Sequence, residues 1–144
     1  MTRADDAVAL FRQGFSCSQA VLGVFAGDYG LDRTTAFRIS QGFGAGIAYT
    51  DEICGAVSGA VMVIGLRYGR TRAEDIAARD KTYAVVTEFL QEFEKRSGSV
   101  SCTGLLGYNL SVPEQAAEAK EKKIIPARCP EFVRSAVEIV EGLV

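Results

Sequence analysis

The sequence predicts an all-α fold. Three observations carry that expectation: helix-capping sequences recur along the chain, apolar residues repeat at helical spacing, and no stretch alternates apolar and polar residues as a half-buried strand would. With 144 residues, 48% of them hydrophobic, there is material for one compact core and no room for a second. We therefore expect a single domain over residues 1–144, a bundle of six or seven helices around a central glycine-containing helix.

Taken in order, short helices are expected over residues 3–13, 16–28 and 32–41, with Gly14, Gly30 and Gly42 near their ends. Ser16-Cys17-Ser18-Gln19 has the form of a capping box. The central helix spans 52–68. Its apolar run from Ile53 to Leu66 falls short of the ~20 residues that cross a bilayer and is interrupted by Gly55, Gly59 and Gly65. Thr71-Arg-Ala-Glu74 reads as the capping box of the longest helix. Ile76, Tyr83, Val86, Leu90 and Phe93 mark its apolar stripe, and Ser97-Gly98 its end. Ser111-Val-Pro-Glu114 opens another helix. Pro130 suits the first position of a last one, whose stripe is Val133, Ala136 or Val137, Val140 and Leu143.

Sixteen basic and eighteen acidic residues leave a net charge of −2, which gives no electrostatic support to a nucleic-acid or anionic-membrane partner. Arg67, Arg70 and Arg72 follow the central helix and read as cations complementing its negative end. The opening residues carry charges of both signs, and Ala7–Phe11 is too short for a secretory signal, so a cytoplasmic protein without membrane insertion is expected.

Four cysteines, Cys17, Cys54, Cys102 and Cys129, are the candidate site. A structural disulfide framework is not expected in a reducing compartment, and cysteine is often simply a buried apolar residue. The local settings argue for more. Ser16 would cap a helix starting at Cys17, and Thr50 or Asp51 one that contains Cys54. Ser101 would cap one starting at Cys102, and Cys129 itself one starting at Pro130. All four sulfurs are thus predicted at helix N-termini, where free amides and the helix dipole favour the thiolate, the form that attacks disulfides and binds soft metals. Arg128 would act in the same direction. No pair has Cys-x-x-Cys spacing, so the site must be assembled by the fold. With no histidine in the chain, a histidine-assisted nucleophile and Cys-x-x-Cys-His haem attachment are excluded.

Cys54-Gly55-Ala56-Val57-Ser58-Gly59 holds two glycines four apart in a helix, at roughly 1 kcal/mol each relative to alanine. Something approaches that backbone closely: a neighbouring helix, or a cofactor or second cysteine for which Gly55 and Gly59 make room. Gly42-Phe-Gly-Ala-Gly46 lacks the Gly-x-Gly-x-x-Gly spacing and a preceding strand, so no nucleotide is expected.

In these residues the chain resembles the C_GCAxxG_C_C family of redox-active proteins, small bacterial and archaeal chains defined by four cysteines and a glycine motif around the second. Cys17 matches the first cysteine, Cys54 to Gly59 the central motif, Cys102 the third cysteine and Cys129-Pro130 the last. The order here is Cys54-Gly55-Ala56 where the family's label has Gly-Cys-Ala. The resemblance implies a redox role for the cysteines. Related sequence in split-Soret cytochromes adds weight to an iron-sulfur cluster without haem.

Three functions compete. One is thiol-disulfide or electron-transfer chemistry with an unknown redox partner, Cys54 being the candidate attacking thiol. The second is an iron-sulfur or zinc site in which Cys17, Cys54, Cys102 and Cys129 are the four metal ligands. The third is a non-catalytic helical interaction module or homodimer whose glycines serve packing.

Overall fold

The computed structural model describes residues 1–144, and the chain is all-α. Eight right-handed α-helices follow one another: α1 (Arg3–Arg12), α2 (Cys17–Phe25), α3 (Arg33–Ser40), α4 (Gly55–Tyr68), α5 (Ile76–Ser97), α6 (Cys102–Leu106), α7 (Pro113–Glu121) and α8 (Ile124–Glu141). That is one more than the six or seven expected, because the short α6 and α7 are both formed. α4 is central, packing against α2, α5 and α8, while α1 lies across α2 and α8. Thirty buried residues form one continuous core. No helix is long and apolar enough to cross a membrane.

The capping chemistry decides most helix starts. Thr2, Ser16, Asp32, Asp75 and Ser101 each accept the backbone amide of the third residue onward, satisfying a donor the helix leaves free. Thr2–Asp5 and Ser16–Gln19 are complete capping boxes. The other two expected boxes do not form. Asp75, a stronger cap than Thr71, starts α5 one residue beyond Glu74, and Arg72 pairs with Glu74 in the preceding turn. At α7 the fixed φ of Pro113 makes it the first helical residue, while the Ser111 hydroxyl and amide donate to the Asn109 side chain. Arg67 stands in the last turn of α4, where a cation complements the helix end, and lies over the Tyr68 ring; Arg70, beyond the helix, donates to the Ala73 carbonyl.

Two expected apolar stripes differ in detail. On α5 the buried face is Val85, Phe89 and Phe93 with Val86 and Leu90 beside it. Ile76 and Tyr83 are 45% and 62% exposed, because the first half of the helix projects beyond the core. On α8, Val133, Ala136, Val137 and Val140 are buried as expected, and the Leu143 carbonyl beyond it accepts the Tyr68 hydroxyl. The helix starts at Ile124 and not at Pro130. Pro126 falls in the first turn, where a missing amide donor costs nothing. Pro130 lies inside the helix and forfeits a single backbone bond.

Residues 52–68 are not all helical. The Cys54 amide donates to the Val100 carbonyl and the Cys102 amide to the Glu52 carbonyl, an antiparallel bridge centred on Ile53 and Ser101. This short pairing holds the starts of α4 and α6 side by side.

A candidate thiol site around one uncharged cavity

Between α3 and α4 the chain makes a left-handed helical turn. Ala45, Gly46, Ile47, Ala48 and Tyr49 all have φ between 54° and 66°, and Asp51 follows at 62°. Left-handed conformation costs roughly 1–2 kcal/mol for each residue with a Cβ. Such strain persists only where surrounding bonds over-determine it. Here the Glu52 amide and the Thr50 hydroxyl donate to the Gly46 carbonyl, the Thr50 amide and hydroxyl donate to that of Ile47, and the Asp51 carboxylate accepts from Thr103 and Asn109. The turn is thereby tied to α6 and the loop after it.

The strained turn seats two of the cysteines. A Cβ on Gly46 would lie 2.7 Å from the Cys102 Cβ, so Cys102 packs directly on that glycine. Gly55, at the start of α4, plays the same part for Cys17, since a Cβ there would stand 2.5 Å from the Cys17 sulfur. Gly59 does something different. Its missing Cβ would meet the Ser18 carbonyl oxygen at 2.9 Å, so it serves close packing of α2 on α4. Of the two alternatives for the central motif, Gly55 makes room for a second cysteine and Gly59 for a neighbouring helix. The Gly42–Gly46 stretch likewise belongs to the thiol site.

Three of the four cysteines stand at helix N-termini. Cys17 and Cys102 are the first residues of α2 and α6, behind the caps Ser16 and Ser101. Cys54 is itself the N-cap of α4, in place of Thr50 or Asp51, because residues 52–54 are taken by the bridge to α6. Cys129 is not at a helix start. It is the sixth residue of α8, where it shares a face with Ile125 and Phe132. That face, and not the helix dipole, brings it to the others.

All four cysteines line a cavity of about 610 Å³, together with Phe15, Leu110 and aromatic and aliphatic residues of α1, α6, α8 and the left-handed turn. Cys17, Cys54 and Cys102 are buried, at 8%, 7% and 8% exposure. A polar network fixes the start of α2. Ser18 donates to the Ser40 carbonyl at 2.7 Å, and the Gln19 amide group donates to the Phe37 carbonyl and the Gln41 side chain.

The sulfurs are electrostatically unequal. The Cys17 sulfur lies against Gly55, the residue after Cys54; the influence of the Cys54 thiol, with the amides of Ala45, Ser18 and Cys17 itself, brings the Cys17 pKa down to about 7. The Cys54 thiol is held well above its ordinary value by Cys17 and by burial, so it stays protonated beside a Cys17 thiolate. The sequence-derived candidate for the attacking thiol is Cys54, whereas the lowered pKa belongs to Cys17. Burial and the charge of Cys17 push Cys102 up to about 11, with Asp51 adding to the effect. Cys129 is raised to about 12 by burial and by Cys17 and Cys102. Arg128, drawn over the Phe132 ring, opposes this only weakly.

No three cysteine or carboxylate side chains lie close enough together to hold one metal ion, so the arrangement does not fit a four-thiolate zinc or iron centre. Sequence reasoning missed the left-handed turn and the tertiary partners of Asp51 and Gln19. The glycine density at 42–46 was the one signal of unusual backbone, and nothing marked Ile47, Ala48 or Tyr49.

No curated protein and no solved structure matches the chain. Residues 15–143, spanning all four cysteines, match the model of one family, and on that match the chain belongs to the family described as "Putative redox-active protein (C_GCAxxG_C_C)".

Proposed function

We propose that the protein carries out thiol-disulfide chemistry with Cys17 as the nucleophile and Cys54 as its partner. The observation that supports this reading is that the Cys17 sulfur rests on Gly55, beside Cys54, with both cysteines lining one cavity. One sulfur titrates near neutral pH and the other stays protonated. A thiol whose pKa is near the ambient pH balances thiolate population against nucleophilicity. Attack by Cys17 on a disulfide would leave a mixed disulfide beside Cys54, which resolves it. Cys102 and Cys129, protonated at neutral pH, border the same cavity and form its reserve of reducing equivalents.

The test is anaerobic purification, metal and acid-labile sulfide analysis, and then titration with one equivalent of a disulfide oxidant followed by peptide mapping. A Cys17–Cys54 disulfide as the first product, lost in Cys17→Ala and in Cys54→Ala, is the expected result. A first disulfide between other cysteines, or one zinc or one iron-sulfur cluster per chain, would overturn the assignment.

A further inference from the structure

Resting on the reading of Cys17 and Cys54 as a redox pair, we propose that the oxidant is a small, uncharged, largely apolar disulfide that enters the cavity, and not a protein disulfide or an anionic one. The sulfurs of Cys17 and Cys54 are buried, so no protein surface can bring a disulfide against them without opening the fold. The way in is the cavity, and its volume of about 610 Å³ falls within the ~300–1,000 Å³ of small-molecule sites. Fourteen of its 22 lining residues are hydrophobic, and none is an aspartate, glutamate, lysine or arginine. Phe11, Phe15, Leu106, Ile125 and Phe132 supply apolar walls, and the polar contacts open to a ligand are neutral ones such as Gln41. A carboxylate or phosphate brought here would lose its water and find no cation to replace it, while facing the Cys17 thiolate. A neutral disulfide incurs neither penalty.

The step balances without a further reagent. The Cys17 thiolate attacks one sulfur of R–S–S–R, forming Cys17–S–S–R and releasing RS⁻. Cys54 then gives up its proton as its sulfur attacks the Cys17 sulfur, the Cys17–Cys54 disulfide forms, the mixed S–S bond breaks, and the second RS group leaves. One disulfide is reduced to RSH and RS⁻, the proton coming from Cys54, and two protein thiols are oxidised by two electrons.

A matched pair of probes tests this: bis(4-nitrophenyl) disulfide, and Ellman's reagent, which carries a carboxylate on each ring of the same scaffold. Rates for the full chain, in one mixed solvent at pH 7, are each divided by the rate with 2-mercaptoethanol. The normalised rate for the neutral probe is expected to be at least tenfold the higher, with two aryl thiols released per chain and Cys17 linked to Cys54. Tyr49, 59% exposed and lining the cavity, stands at its mouth. Tyr49→Lys, or Ala48→Lys beside it should the first not fold, is expected to narrow the ratio several-fold by giving the anion a counter-charge. Equal normalised rates with a normal Cys17–Cys54 disulfide would overturn the substrate class and leave the redox pair standing. Failure of both probes to link Cys17 to Cys54 would remove the pair, and the inference with it.

Discussion

Replacing Gly55 with alanine tests whether that glycine serves the thiol pair or merely the packing of α4. The added methyl would stand 2.5 Å from the Cys17 sulfur, 2.9 Å from the Phe43 carbonyl oxygen and 3.1 Å from the Gly44 Cα. Comfortable separations are roughly 3.5–4.0 Å, so the sulfur must retreat by about 1 Å, and the other two neighbours are backbone leading into the strained turn. Overpacking of this kind costs about 1–3 kcal/mol, against a helix-propensity gain of at most about 1 kcal/mol, leaving a net loss of up to about 2 kcal/mol even at the full gain. Gly59→Ala is the matched control. Its methyl would meet the Ser18 carbonyl oxygen at 2.9 Å and the Val21 Cβ at 3.0 Å, with a similar loss of stability. Only Gly55→Ala displaces Cys17 from Cys54, so only there should the Cys17 pKa climb from about 7 toward its ordinary 9.0. Urea unfolding measures the first effect, and alkylation of Cys17 by iodoacetamide as a function of pH, followed by peptide mass spectrometry, the second. An unshifted alkylation midpoint in Gly55→Ala, or an equal shift in Gly59→Ala, would refute this account of the motif.

Stability should itself depend on pH through the sulfurs. The depressed pKa of Cys17 contributes stability that is present above the unfolded value of 9.0 and is lost as pH falls from about 9 to about 7, a change on the order of 3 kcal/mol. Cys54, Cys102 and Cys129, all raised, contribute stability that is complete below pH 9 and is lost as pH rises beyond it. Urea midpoints should therefore peak near pH 9, and a Cys17→Ala chain that keeps the rise between pH 7 and 9 would contradict the assignment. Asp51→Ala removes the acceptor for Thr103 and Asn109 and puts a less tolerant residue at positive φ, for an expected loss of about 2–3 kcal/mol. Asp51→Asn should lose less and let the Cys102 pKa fall, as read by its alkylation profile. Ala48→Gly should do the reverse of most glycine substitutions. At an exposed residue held at φ 54° it should raise the thermal midpoint, a gain of about 1 kcal/mol, and a lower midpoint would show that the left-handed turn carries no such strain.

The amino-acid sequence by itself determined the helical class and most helix starts, and it singled out the four cysteines that line one cavity. The helix starts follow from short-range chemistry: a Ser or Asp side chain meets an amide three residues on, as at Ser16 and Ser101, whatever the rest of the chain does. Where two local signals compete, short-range rules rank them poorly. Asp75 displaced Thr71 as a cap, and Pro126 displaced Pro130 as the residue near a helix start, moving Cys129 off a helix N-terminus. Only the tertiary structure decided how the four cysteines reach one cavity. The place of Cys17 against the start of α4 depends on a missing Cβ at Gly55. Cys102 is placed by a bridge between segments nearly fifty residues apart, and Cys129 by the buried face of α8. The left-handed turn at 45–49 lay furthest from view. Its residues are ordinary ones held in a costly conformation by bonds from Thr50, Glu52, Thr103 and Asn109, and bonds of that kind exist only once the chain has folded around them.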